Sequence, residues 1–230
     1  MKRVFSAIGM LLLCAAPAMA HHGKDFLIVE SFELPHPHDI YFVSSELFSH
    51  REDGTFISTE PSLLFGLTHR VAGEVHVHIE KEPGESLRYE AIAPAVHIQL
   101  TPEESKAAWK FALAAEYEIA RHTDENNFAA RLIAARDMGE GMLVLNIGGE
   151  HSRAEGTQAT YAVGFRPALD VHVGWGIEAQ GNIERSQQHE VLIGIYMQPS
   201  ERFTFKAGAG LGLGNGKPAP EIRTGVVWHF

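Results

Sequence analysis

The chain has 230 residues, with 29 acidic side chains against 19 Lys and Arg, and a formal charge of −10 at pH 7. That balance excludes a nucleic-acid partner, whose phosphates call for a basic surface. A mean hydropathy of −0.09 excludes a bundle of spanning helices, each needing roughly 20 apolar residues, but leaves open a membrane barrel, where apolar and polar residues alternate.

Residues 1–20 read as a secretory signal. Lys2 and Arg3 supply the charged start, Ile8 to Ala16 the apolar stretch, and Ala18-Met19-Ala20 the small-residue cleavage site. Cleavage after Ala20 removes Cys14, the single cysteine, so the exported chain has no disulfide and no thiol chemistry. It also removes two positive charges, taking −10 to −12. Cys14 follows Leu13, where a lipidation signal wants a small residue.

Residues 21–38, with Pro35 and Pro37, are assigned to the periplasm as an N-terminal segment. Phe26-Leu27-Ile28-Val29 inside it leaves two options open, pairing with the sheet or plugging it.

Residues 39–230 read as strands and turns. The first half predicts strands near 39–49, 55–67, 73–80, 87–99, 109–121, 127–136 and 141–150. Val75, Val77 and Ile79 oppose Glu74, His76, His78 and Glu80, and Phe111, Leu113, Ala115, Tyr117 and Ile119 oppose Lys110, Glu116 and Glu118. Thr101 to Ala108 has helix-start character and predicts one short helical turn. The second half predicts 158–166, 170–181, 188–197, 202–213 and 221–230. There Val171, Val173, Trp175 and Ile177 oppose Asp170, His172, Gly174, Gly176 and Glu178. Phe203, Phe205, Ala207, Ala209, Leu211 and Leu213 oppose Thr204, Lys206 and four glycines. Polar, turn-forming stretches such as Arg51 to Gly54 and Glu82 to Glu85 separate the strands. Twelve strands at about 17 residues each, turn included, match what a spanning arm needs.

The predicted fold is all-β: a single antiparallel transmembrane β-barrel of about 12 strands, closed by the C-terminal strand. The glycine-rich face decides which side is enclosed. Facing water it would be a poor surface, whereas inside a barrel it allows curvature and leaves room in a narrow lumen. Tyr41, Trp109, Tyr161, Phe203, Trp228 and Phe230 are candidates for interfacial aromatic girdles.

Ile222, Thr224, Val226, Trp228 and Phe230 alternate into a terminal Phe. This ending resembles the assembly signal of bacterial outer-membrane β-barrels. Glu60-Pro-Ser-Leu-Leu-Phe-Gly66, Ala115-Glu-Tyr-Glu118, Ala207-Gly-Ala-Gly-Leu-Gly212 and Arg223 to Phe230 are similar to segments of the porin-like "MetA-pathway of phenol degradation" and transporter-like group. The resemblance implies location in the cell outer membrane, contact with lipid bilayer and lipopolysaccharide, assembly through the Phe230 strand and passage of small solutes. It brings no catalytic residues.

The residues assigned to the lumen are Glu74, His76, His78, Glu80, Glu116, Glu118, Arg131, Arg166, Asp170, His172, Glu178, Lys206 and Arg223. An acidic, hydrated lining of this kind favours cations. The same groups can also pair across a narrow lumen and close it, so an open channel and a filled interior both stand. Fourteen histidines, with His21-His22 and His76/His78 foremost, raise a metal-binding alternative, although HExxH and cysteine sites are lacking. No cofactor is expected. Ser44, Ser45, Ser49 and His50 lie close in sequence, but no G-x-S-x-G motif accompanies them, and the chain is not expected to be an enzyme.

Overall fold

A computed structural model describes residues 25–51, 53–121, 126–139, 141–153, 156–167, 173–184, 189–214 and 217–230. Twelve strands follow one another: β1 Ile40–Arg51, β2 Gly54–Thr68, β3 Val71–Lys81, β4 Arg88–Gln99, β5 Lys110–Ala120, β6 Asn127–Asp137, β7 Gly141–Ser152, β8 Gly156–Pro167, β9 Val173–Asn182, β10 His189–Ser200, β11 Phe203–Gly214 and β12 Lys217–His229. Each pairs antiparallel with its neighbour, and β12 closes on β1 from Tyr41↔His229 to Ser49↔Glu221. The even count brings the start of β1 and the end of β12, the two termini of the strand array, to one end of the barrel.

Alternation decides the two faces. Leu63, Ile147, Trp175, Ile193 and Ile222, each at least half exposed, point outward, while Glu74, His76, Glu178 and Lys206 on the opposite parity are almost fully buried. An apolar outside around a charged inside is stable only in a bilayer. At the end bearing the termini, Phe203 packs edge-on against Trp228 with ring centroids 5.7 Å apart. Tyr41, expected in a girdle, faces inward and stacks on His229 at 4.4 Å, because it shares the parity of Val43. Residues 101–108 form a turn, with Ser105 N donating to Pro102 O at 3.1 Å, and not a helix.

The segment assigned to the periplasm is found, over residues 25–34, inside the barrel. Phe26, Leu27, Ile28 and Val29 are at most 2% exposed. They pack with Ala112, Ala114, Ile133, Val144, Leu192 and Tyr196 into one apolar core. Four consecutive apolar side chains left in water would forgo about 1.5–3 kcal/mol each, and the lumen is the nearest place that covers all of them. The chain then crosses Gly66, where a Cβ would collide with the His36 carbonyl. It turns at His38 (φ 74°) into β1.

Among the described residues, a carboxylate of β1 lies on the lipid side. Glu46 shares the outward parity of Phe42 and Phe48. Its two oxygens accept hydrogen bonds from Ser44 Oγ at 2.6 Å and Thr224 Oγ1 at 2.7 Å. Charges on this face destabilise a barrel, acidic ones less than basic ones. Glu46→Leu is therefore expected to raise the unfolding free energy in lipid vesicles by about 1 kcal/mol. A urea titration that finds it lowered would show the Ser44–Glu46–Thr224 cluster to be stabilising.

Candidate functional site: the occupied lumen

The wall grips the inserted segment through its backbone. Glu178 on β9 receives the N–H groups of Leu27 and Ile28 at 2.8 Å and of Val29 at 3.0 Å. Three successive amides converging on one carboxylate form an anion cradle, and the Tyr196 hydroxyl donates to the same group. Lys206 Nζ donates to Phe26 O at 2.6 Å, and Arg166 Nη1 to Asp25 O at 3.2 Å. Asn146 holds Glu30 by both backbone groups, accepting its N–H at 2.8 Å and donating to its carbonyl at 3.1 Å. Gln99 Nε2 donates to Phe32 O at 3.1 Å.

Glycines on the wall set the shape of the cradle. A Cβ on Gly164 would lie 2.8 Å from the Phe26 ring, and one on Gly208 would lie 2.7 Å from Leu27 Cδ1. The narrow-lumen reading of these glycines is thus completed by the segment that fills the space.

The Glu30 side chain joins a charged cluster. His97 has Nδ1 at 2.8 Å from Glu30 and Nε2 at 2.9 Å from Glu74. Ser62 Oγ donates to Glu74 at 2.7 Å. Arg131 bridges Glu30 at 3.4 Å and Glu150 at 3.3 Å. The space enclosed by Glu30, Glu74, His76, His97, Glu116 and Arg131 is about 10 Å³, room for one water. A solute larger than water does not fit this space.

Further toward the mouth opposite the termini lie His78, Glu80, Glu116 and Glu118. His76 Nε2 is 3.3 Å from Glu116, and His78 Nδ1 is 3.6 Å from Glu118. On the β10–β12 side, Arg223 binds Glu190 through two hydrogen bonds of 2.7 and 2.8 Å. Asp170 and His172 lie outside the described residues. The other lumen residues named from sequence share the inward parity, but they divide among four groups: Glu178, Lys206 and Arg166 on the plug, Glu74, His76 and Arg131 around His97, the mouth cluster, and Arg223 on Glu190. Glu30, Asn146 and Tyr196 also take part, and the strand alternation alone does not single them out.

No family model and no curated protein sequence matches the chain. Solved structures do. The KdgM porin in complex with a disordered oligogalacturonate superposes with a TM-score of 0.62 at 11% identity, covering 83% of this chain and 99% of that one. An outer membrane channel from Pseudomonas putida F1 gives 0.65 at 9%, covering 86% and 97%. The fold is that of outer-membrane barrels. The same fold also carries an enzyme: the outer membrane phospholipase dimer of Salmonella typhi with bound calcium gives 0.54 at 11%, covering 91% and 94%.

Proposed function

We propose that the chain is an outer-membrane channel for small solutes, held shut by residues 25–34 and open when they leave the lumen. One observation carries this reading. None of residues 25–34 joins the sheet; side chains of the wall hold the segment, so its departure breaks no rung of the barrel ladder. The porin-like fold supports passage. The role is non-enzymatic: the outward-facing Ser44 gives its hydroxyl to Glu46 and not to a histidine base.

The vacated lumen would present Glu74, Glu80, Glu116, Glu118 and Glu178 against Arg131, Arg166, Lys206 and Arg223. This excess of carboxylates favours cations weakly. An oligogalacturonate occupies the KdgM porin; the solutes proposed here are small and neutral or cationic. The Phe230 end of β12 is offered to the barrel assembly machinery, and the outer face to lipopolysaccharide.

Planar-bilayer recording in a potassium chloride gradient tests both parts. A variant lacking residues 25–34 is expected to give discrete conductance steps, with a reversal potential on the potassium side. Wild type is expected to stay mostly closed. A folded deletion variant without steps would instead select a second reading, a permanently filled barrel with a structural role, which the packing of Phe26 to Val29 against the wall favours. Steps with a reversal potential on the chloride side would leave the channel and remove the cation preference.

A further inference from the structure

We propose that the lumen binds a divalent transition-metal ion, zinc being the reference case, through His78, Glu116 and Glu118. This site lies beyond the plug, in the half of the barrel away from the termini, and does not depend on the channel reading. One ligand atom from each side chain lies within 4.8 Å of the others.

His78 supplies the decisive observation. It is 2% exposed, and neither ring nitrogen has a hydrogen-bond partner. A buried imidazole left this way forfeits stability that a partner would restore. Its Nδ1 stands 3.6 Å from Glu118 Oε2, too far for a hydrogen bond. Two ligands of a tetrahedral zinc with bonds of about 2.0–2.1 Å stand about 3.4 Å apart, so this spacing fits an ion placed between them.

The strands prepare the gap. His78 sits on β3 and the two glutamates on β5, with β4 between. At this level β4 turns only Ala91 and Ala93 inward, opposite His78 and His76. Two small side chains let the imidazole and the carboxylates meet over β4. The carboxylates are themselves oriented. Asn127 Nδ2 donates to Glu118 Oε1 at 3.0 Å, and His76 Nε2 lies 3.3 Å from Glu116. Partners of this kind behind the ligands are what metal sites use to fix them. The Glu116 and Glu118 side chains keep 11% and 15% of their exposure, which gives an ion a way in from the mouth.

One imidazole with two carboxylates, completed by water, suits zinc, nickel or copper(II). Calcium and magnesium, which take six or more oxygens, are poorly served. The neighbouring Glu30–His97–Glu74 set is different. Both nitrogens of His97 already face carboxylates at hydrogen-bond distance, so it has no ligand atom to spare.

The test is a zinc titration of the mature full chain folded in detergent, followed by calorimetry, with cobalt(II) absorption as a second readout. His21→Ala and His22→Ala are present in every sample, so that the tail contributes nothing. One equivalent is expected to bind, at least tenfold more weakly in His78→Ala and in Glu118→Gln. Glu46→Gln, on the lipid side, is expected to bind like the parent. No binding by the parent, or equal binding by the parent and both lumen variants, overturns the site. If His78→Ala does not fold, Glu118→Gln decides, since it keeps the shape and the Asn127 contact; unchanged zinc affinity there overturns the proposal.

Discussion

Glu178→Ala is expected to release residues 25–34 from the lumen without unfolding the barrel. Glu178 is 1% exposed and accepts three consecutive backbone amides and the Tyr196 hydroxyl. Hydrogen bonds to a charged group contribute about 1.5–3 kcal/mol each, and a buried amide left unmatched costs about 1–3. Losing the set should weaken retention of the segment by about 4 kcal/mol after water enters, close to a thousandfold in occupancy. The β8–β9 and β9–β10 ladders do not use this side chain. Global unfolding in urea should therefore move far less than the local opening. Hydrogen exchange at Leu27, Ile28 and Val29 reads the local term, and bilayer recording reads its consequence as frequent opening. Protection of those amides equal to wild type would mean that apolar packing, not Glu178, holds the plug. Phe26, Leu27, Ile28 and Val29 bury enough surface to make that a real competitor.

The sequence shows the wall of this barrel more clearly than its contents. In β9 and β11 one apolar face alternates with one polar or glycine face, and register follows directly from that period. The start of β12 is hidden because Pro218 and Pro220 lack the N–H that marks a strand. They nevertheless pair with Leu213 and Leu211, carrying the strand back to Lys217. Parity also places Glu74, Glu178, Lys206 and Arg223 on the inside. It does not say what each one meets. Phe26 to Val29 is an unbroken apolar run, which signals burial on every side but names no cover. The carboxylate that receives it lies 151 residues from Leu27. Distances of that order are fixed by closure of the whole sheet, and no local pattern contains them. The glycine face held a partial signal, since Gly164 and Gly208 are small because Phe26 and Leu27 lean on them.

Arg223→Leu is expected to destabilise the barrel by about 3–5 kcal/mol, the usual consequence of stranding one member of a buried ion pair. Arg223 lies on the closing strand β12 and Glu190 on β10. The intervening β11 turns Gly208, Gly210 and Gly212 inward, so no side chain blocks the guanidinium as it crosses. Both residues are under a tenth exposed, and their contact is bidentate, with Gln180 Nε2 also donating to Glu190 at 2.9 Å. Without Arg223 the Glu190 carboxylate loses its bidentate cation and is left with the Gln180 amide and the Glu221 carboxyl group as neighbours. The double variant Arg223→Leu/Glu190→Leu removes both charges and is expected to lie within about 1 kcal/mol of wild type, because apolar packing replaces a pair whose attraction is largely offset by its desolvation. Urea unfolding in vesicles measures all three proteins. A loss below about 1 kcal/mol in the single variant would show that water reaches the pair from the mouth and screens it. A double variant as unstable as the single one would show the opposite, that the Arg223–Glu190 contact itself fixes β12 in register against β11 and β1.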